Sequence, residues 1–225
     1  MLLAAITAAA GSAPGSHDHP EPVVLAPGYA ALTFEAPQPG TYQLPPLGAA
    51  SNGRLVDVDG KPAALRDLLG DRIVVLSFVY TACSDVNGCP LATHVLSEIQ
   101  QRVLESAPDL TGQLRLITLS FDPLNDTPEV MKAYGSRFEH PPFDWRFLTT
   151  QGNDELAPVL DHYGQWIVKD YDTEGHYLGS ISHVLRVFLI DHKRQIRNIY
   201  SISFLHADTV LADVRTLLAE AEPTL

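Results

Sequence analysis

The chain has 225 residues, 45% of them hydrophobic, enough for one domain with a full core plus tails and unlike a multi-span membrane protein. Its formal net charge of −12 repels phosphate backbones and argues against nucleic acid as a partner.

Residues 1–22 read as a signal-like or flexible segment. Met1 to Gly15 is apolar and small, like the hydrophobic and cleavage parts of a secretory signal, although no Lys or Arg precedes Arg54. Export is the favoured reading and a flexible tail the alternative. The run is shorter than the roughly 20 residues of a spanning helix, so no integral membrane span is expected. His17-Asp18-His19 reads as a solvated linker rather than a metal-capture tail. Residues 23–50 form a Pro-rich extended strap, with Tyr29, Leu32, Phe34, Tyr42 and Leu44 as candidate pins onto a domain spanning 51–225.

Gly53 to Pro62 predicts a hairpin turning at Asp59-Gly60, followed by one helical turn from Leu65 to Leu69 that ends at Gly70. Ile73 to Tyr80 is rich in β-branched residues and predicts a buried strand. Pro90 opens a helix with Leu91, Val95, Ile99 and Val103 on one face. Leu114 to Asp122 alternates apolar with polar residues and predicts a second strand. Asp126-Thr127-Pro128-Glu129 is capping chemistry for a helix over Val130 to Phe138. A strand over Asp144 to Thr150 and a short helix over Glu155 to Tyr163 follow. Arg186 to Ile190 and Gln195 to Ser201 predict two strands joined at Asp191-His192-Lys193, and Val210, Leu211, Val214, Leu217 and Leu218 stripe a final helix. The order gives an α/β fold with a mixed central sheet flanked by helices, parallel crossovers first and an antiparallel hairpin at its late edge.

Both cysteines, Cys83 and Cys89, lie on the loop between the first core strand and the helix opened by Pro90. Thiolates are soft metal ligands and redox groups. Cys89 stands at a helix N-terminus, whose partial positive charge favours a thiolate, so Cys89 is expected to have the lowered pKa. Three readings fit the loop equally: a structural disulfide in an exported binding module, a cycling redox couple, and a metal site.

The segment Phe78-Val79-Tyr80-Thr81-Ala82-Cys83 … Cys89-Pro90-Leu91 resembles the copper-loop signature of Sco/SenC proteins. Ile117 to Pro128, with its Asp122-Pro123 … Asp126-Thr127-Pro128, is similar to a second family segment, and Ser182 to Asp191 to the segment holding the family's metal-binding histidine. Three matches in the right order run across about Gly53 to Leu218. The resemblance implies a thioredoxin-like fold, copper as Cu(I) or Cu(II) held by Cys83, Cys89 and His183, and a disulfide Cys83–Cys89 when oxidised. Asp122 is expected to shape the pocket, and Asp126 to cap a helix rather than to ligate. The implied function is a metallochaperone for the binuclear copper site of a respiratory oxidase. Its expected partner is the copper-accepting oxidase subunit or another periplasmic copper or thiol protein, and its expected location is periplasmic or otherwise exported. Two departures stand out: the family loop has three residues between its cysteines and this one has five, and this sequence shows no transmembrane anchor.

A lone histidine is ordinarily a satisfied strand-edge residue; its context gives His183 the ligand reading. His94, His140, His162, His176, His192 and His206 have no such context and read as surface residues, His94 least so because it follows Cys89 on the helix. The runner-up function is a thiol–disulfide oxidoreductase using Cys83 and Cys89. It lacks Cys-x-x-Cys spacing, and no proline between Pro158 and Pro223 can sit opposite the thiols. A peroxidase lacks its surrounding prolines, and a zinc site lacks an evident fourth ligand.

Overall fold

The computed structural model describes Tyr29 and residues 32–221; the signal-like segment 1–22, with His17-Asp18-His19, lies outside the described residues. The strands are β1 (Gly48–Ala49), β2 (Arg54–Asp57), β3 (Pro62–Ala64), β4 (Ile73–Val79), β5 (Leu114–Ser120), β6 (Trp145–Thr149), β7 (Ile167–Tyr171), β8 (Tyr177–His183), β9 (Val187–Ile190) and β10 (Gln195–Tyr200). The α-helices are α1 (Cys89–Ser106), α2 (Pro128–Gly135), α3 (Asn153–His162) and α4 (Ala207–Ala221). Eight strands form one mixed sheet in the order β1-β10-β9-β4-β5-β6-β2-β3, and β7 pairs with β8 alone.

Strands β4, β5 and β6 run parallel, as the helical crossovers between them require. All seven residues of β4 and of β5 are buried, because both sheet faces are covered. Val75, Leu116 and Leu189 meet the apolar stripes of α1 and α4 on one face. Leu76, Ile117 and Phe188 meet α3 and the 3-10 turn Leu65–Leu68 on the other. The alternation in β5 therefore does not mark a solvent face. Its polar side chains are paired inside: Thr118 accepts from the Trp145 indole at 3.0 Å, and Arg115 forks to Asp71 and Asp144.

The late hairpin is not an edge. β9 inserts beside β4, antiparallel to it, and β1 from the strap covers β10. The hairpin β2–β3 turns through Gly60, whose φ of +76° suits glycine, and packs β2 on β6 at the opposite side. Tyr42 and Leu44 do pin the strap: the Tyr42 hydroxyl donates to buried Asp213 at 2.5 Å, and Leu44 packs on the core. Tyr29 sits against His94 and His206, whereas Phe34 is exposed.

Register brings three distant segments to one end of the sheet. Val79 pairs with Ser120 and Ser77 with Val187. The loop after β4, the turn after β5 and the link before β9 therefore converge. That link emerges from the β7–β8 hairpin, whose last residue is His183.

Candidate metal centre

β4 ends in Val79, and the chain turns through Tyr80 to Cys83, whose N–H donates to the Tyr80 carbonyl at 3.2 Å. The turn Asp85–Gly88 then folds the loop back, with the Gly88 N–H on the Asp85 carbonyl at 2.9 Å and the Asn87 N–H on the Asp85 carboxylate at 3.0 Å. The five residues between the cysteines thus close through a compact turn, and Cys89 enters α1 as its first residue. Cys89 is 1% exposed, Cys83 is half-buried, and both are free thiols.

His183 arrives from the other side. Its Nδ1 lies 3.0 Å from the Ile181 carbonyl, which only accepts, so Nδ1 carries the proton and Nε2 offers its lone pair. Nε2 lies 3.5 Å from the Cys89 sulfur. The ring is held edge-on to Tyr80 at 5.9 Å and tilted on Phe121 at 4.8 Å between centroids. The Tyr80 hydroxyl accepts from the Ile181 N–H at 3.4 Å, tying the strand before the thiols to the strand that carries the imidazole. Two sulfurs and one imidazole nitrogen thus lie within 4.8 Å of one another, and among the described residues this is the one such group of three. Metal–sulfur and metal–nitrogen bonds run about 2.0–2.3 Å, so two donors on one ion are at most about 4.6 Å apart. Three donors spread around one ion stand about 3.5–4.0 Å apart, so a side-chain shift of up to about an ångström, within reach of a thiol rotation, brings this set to bonding distance.

The thiol expected to be acidic is the wrong one. Burial pushes Cys89 up, helped by the neighbouring Cys83 sulfur, and this outweighs the helix N-terminus. Cys83 is instead lowered to about 6, chiefly by the Cys89 thiol proton and, against its own partial burial, by the amides of Cys89 and Asp85. Low local dielectric keeps a proton on the inner sulfur, and that proton stabilises charge on the outer one.

Asp122 is buried in the turn after β5. Its Oδ2 accepts from Asn125 at 2.7 Å and its Oδ1 has no hydrogen-bond partner, but it is not one of the three converging donors. Asp126 does not cap α2; Thr127 does, its hydroxyl accepting from the Val130 N–H at 3.4 Å. Asp126 turns inward to Thr81 and Ser120, and burial raises its pKa against the pull of those donors. His206 is buried rather than exposed, stacked on Tyr29 at 4.8 Å, and His94 meets the same ring edge-on. His162 donates to the Ala49 carbonyl, holding the strap.

Tyr80, Phe121, Thr81 and Asp126 are the neighbours that the sequence hid. The first two read as ends of strands, and nothing in their spacing shows that their rings meet an imidazole about 60 to 100 residues away. The pairing Thr81–Asp126 needed the parallel register of β4 and β5, which apolar runs do not specify.

The SCO1/SenC family model matches residues 49–219. A protein of Stutzerimonas stutzeri named for copper binding is 30% identical over 161 residues, covering 71% of this chain and 72% of the relative. The SCO1 homologue of Bacillus subtilis is 24% identical over 159 residues, 70% of this chain and 77% of its own. Copper-bound ScoI of Bradyrhizobium japonicum superposes with a TM-score of 0.60 at 25% identity, over 75% of this chain and 99% of that one. A family lipoprotein of Bacillus anthracis, at 23% identity, shares the fold with a TM-score of 0.65 over 79% of this chain and 99% of its own. With its central sheet, helical layers and loop-borne thiols, the chain belongs to the SCO1/SenC family and has that family's thioredoxin-like fold.

Proposed function

We propose that this chain is a copper metallochaperone that holds its cargo ion between Cys83, Cys89 and His183. The observation carrying this reading is the convergence of two sulfurs and an imidazole nitrogen within 4.8 Å. The donor set suits copper in either oxidation state, and its thiolates favour Cu(I). A relative named for copper binding, and a neighbour solved with copper bound, support the choice of ion. Binding needs both sulfurs deprotonated and His183 neutral, so acid weakens it. Cys83 meets that requirement at neutral pH, while Cys89 gives up its proton as the ion enters. The cargo leaves by ligand exchange at the half-buried Cys83 side, toward the binuclear copper site of a respiratory oxidase or another copper protein in the periplasm. Oxidation of the pair removes two electrons and two protons, forms the Cys83–Cys89 disulfide and takes away both sulfur ligands. Export, consistent with the signal-like residues 1–22, puts the pair where such a disulfide persists.

One observation favours a second reading, reduction of partner cysteines. The Cys83 thiolate is accessible and backed by a buried thiol, a nucleophile with its resolving partner. Cys83 attacks a partner disulfide and forms a mixed disulfide; Cys89 then displaces the partner's second sulfur, so the partner gains two electrons and two protons and this chain is oxidised.

Copper titration of the reduced chain separates the two. One copper per chain is expected, lost in Cys83→Ser and Cys89→Ser and weakened at least tenfold in His183→Ala. Binding unchanged in His183→Ala removes that residue from the site. Turnover of a disulfide substrate without metal, undiminished in His183→Ala, favours the second reading.

A further inference from the structure

Asp126 is 1% exposed and carries a carboxylate that forms no salt bridge with any described Lys or Arg. Burying such a group is costly unless every lone pair is engaged. Here both oxygens are engaged, and the donors come from two other segments. Oδ1 accepts from the Thr81 hydroxyl at 2.5 Å, and Oδ2 from the Thr81 N–H at 3.1 Å and the Ser120 hydroxyl at 2.5 Å. The Asp126 N–H itself donates to the Asp122 carbonyl at 2.8 Å, so the carboxylate stands on a closed turn rather than a free loop. Thr81 lies at the root of the thiol loop, two residues past the end of β4 and two before Cys83. The clamp therefore fastens the root of that loop to the end of the adjacent strand β5, on the side where Phe121 also contacts His183. Helix α2 needs nothing from Asp126, because Thr127 already caps it.

We propose that Asp126, acting through Thr81, is a positioning residue for the metal centre: it sets the direction in which the loop leaves the sheet, and so the separation of the Cys83 sulfur from Cys89 and His183. This rests on the copper reading of the three donors and adds to it a residue that touches no ion. An asparagine replaces it poorly. Its single oxygen cannot accept from the Thr81 N–H, the Thr81 hydroxyl and the Ser120 hydroxyl together, and an NH2 in the other position must reverse a hydroxyl, of which Ser120 already accepts from the Asp122 N–H. The clamp then loses at least one of its three bonds, and the loop root is held less firmly.

The test uses the full chain with Asp126→Asn, Asp126→Glu and Thr81→Val, the last removing one hydroxyl donor at nearly constant volume. Three quantities are read: copper affinity by chelator competition, the sulfur-to-copper charge-transfer spectrum of the Cu(II) form, and, without metal, the ratio of Cys83 to Cys89 alkylation. Asp126→Asn is expected to weaken copper at least tenfold, to shift the charge-transfer band and to raise Cys89 labelling, with far-ultraviolet circular dichroism unchanged. Thr81→Val moves the same three in the same direction by less. If Asp126→Asn does not fold, Thr81→Val carries the test alone. Variants that lose thermal stability yet keep wild-type affinity, band and labelling ratio overturn the proposal and leave Asp126 a purely structural residue. A wild-type chain whose copper binding ignores His183 sinks the metal reading instead; the labelling ratio still reports whether the clamp holds the loop.

Discussion

At the scale of single residues, burial decides which sulfur is reactive. Cys89 has the helix N-terminus, but that contribution is worth typically 0.3–1 kcal/mol where exposed, and the sulfur is 1% exposed. Cys83 collects the donors and is lowered from 9.0 to about 6. The sign follows directly: below pH 6 Cys83 is mostly thiol, and above it mostly thiolate. Alkylation of reduced, metal-free protein by iodoacetamide should therefore rise tenfold per pH unit below 6 and level off near 7, with modification confined to Cys83 in peptide mass spectra. A rate still climbing through pH 8–9, or preferential labelling of Cys89, contradicts this assignment. The three converging side chains stand at positions the sequence singled out, but His183 only through its family resemblance, since a lone imidazole before an apolar run carries no signal of its own. Asp126 was legible only as a cap, because capping is a local pattern and its real partners, Thr81 and Ser120, are set by strand register.

At the scale of elements, the hydrophobic pattern reports what is buried, and it succeeds or fails accordingly. β4, α1 and α4 carry continuous runs or four-residue stripes and lie where those predict. The β7–β8 hairpin was invisible. Ile181 is its one buried residue, and its outer face is joined by Asp170 accepting from Ser180 at 2.7 Å and Ser182 at 3.0 Å. Polar clips between strands leave no periodic apolar trace, although this hairpin delivers the imidazole. Contacts between elements are equally silent in sequence. Gly135, the last residue of α2, lies so close to β6 that an added Cβ would stand 2.6 Å from Cδ2 and 2.7 Å from Cγ of Phe147. Phe147 is buried, packed against Trp145 at 4.9 Å, and cannot yield cheaply. Gly135→Ala should thus cost about 1–3 kcal/mol through overpacking, read as a lower urea midpoint with an unchanged slope. A midpoint equal to wild type would show that α2 stands off β6 more than described.

At the scale of the whole molecule, the fold is a device for bringing together atoms from three remote stretches of chain. Parallel pairing of β4 with β5 aligns the thiol loop with the turn that clamps its root, and insertion of β9 beside β4 returns His183 to the same end. The opposite end is held independently, by Arg115 bridging Asp71 and Asp144 and by the strap, whose β1 closes the sheet and whose Tyr42 reaches Asp213. The net charge of −12 favours cations over the whole surface but cannot select among them; in the proposed function that selectivity falls to the two sulfurs. Among the described residues no helix is long and apolar enough to cross a membrane. The central claim, one soft ion shared by these three side chains, is tested most directly by X-ray absorption on the copper-loaded, reduced chain. Two sulfur neighbours and one imidazole nitrogen are predicted, the nitrogen signal vanishing in His183→Ala. A copper shell of sulfur alone, identical in wild type and His183→Ala, would contradict it.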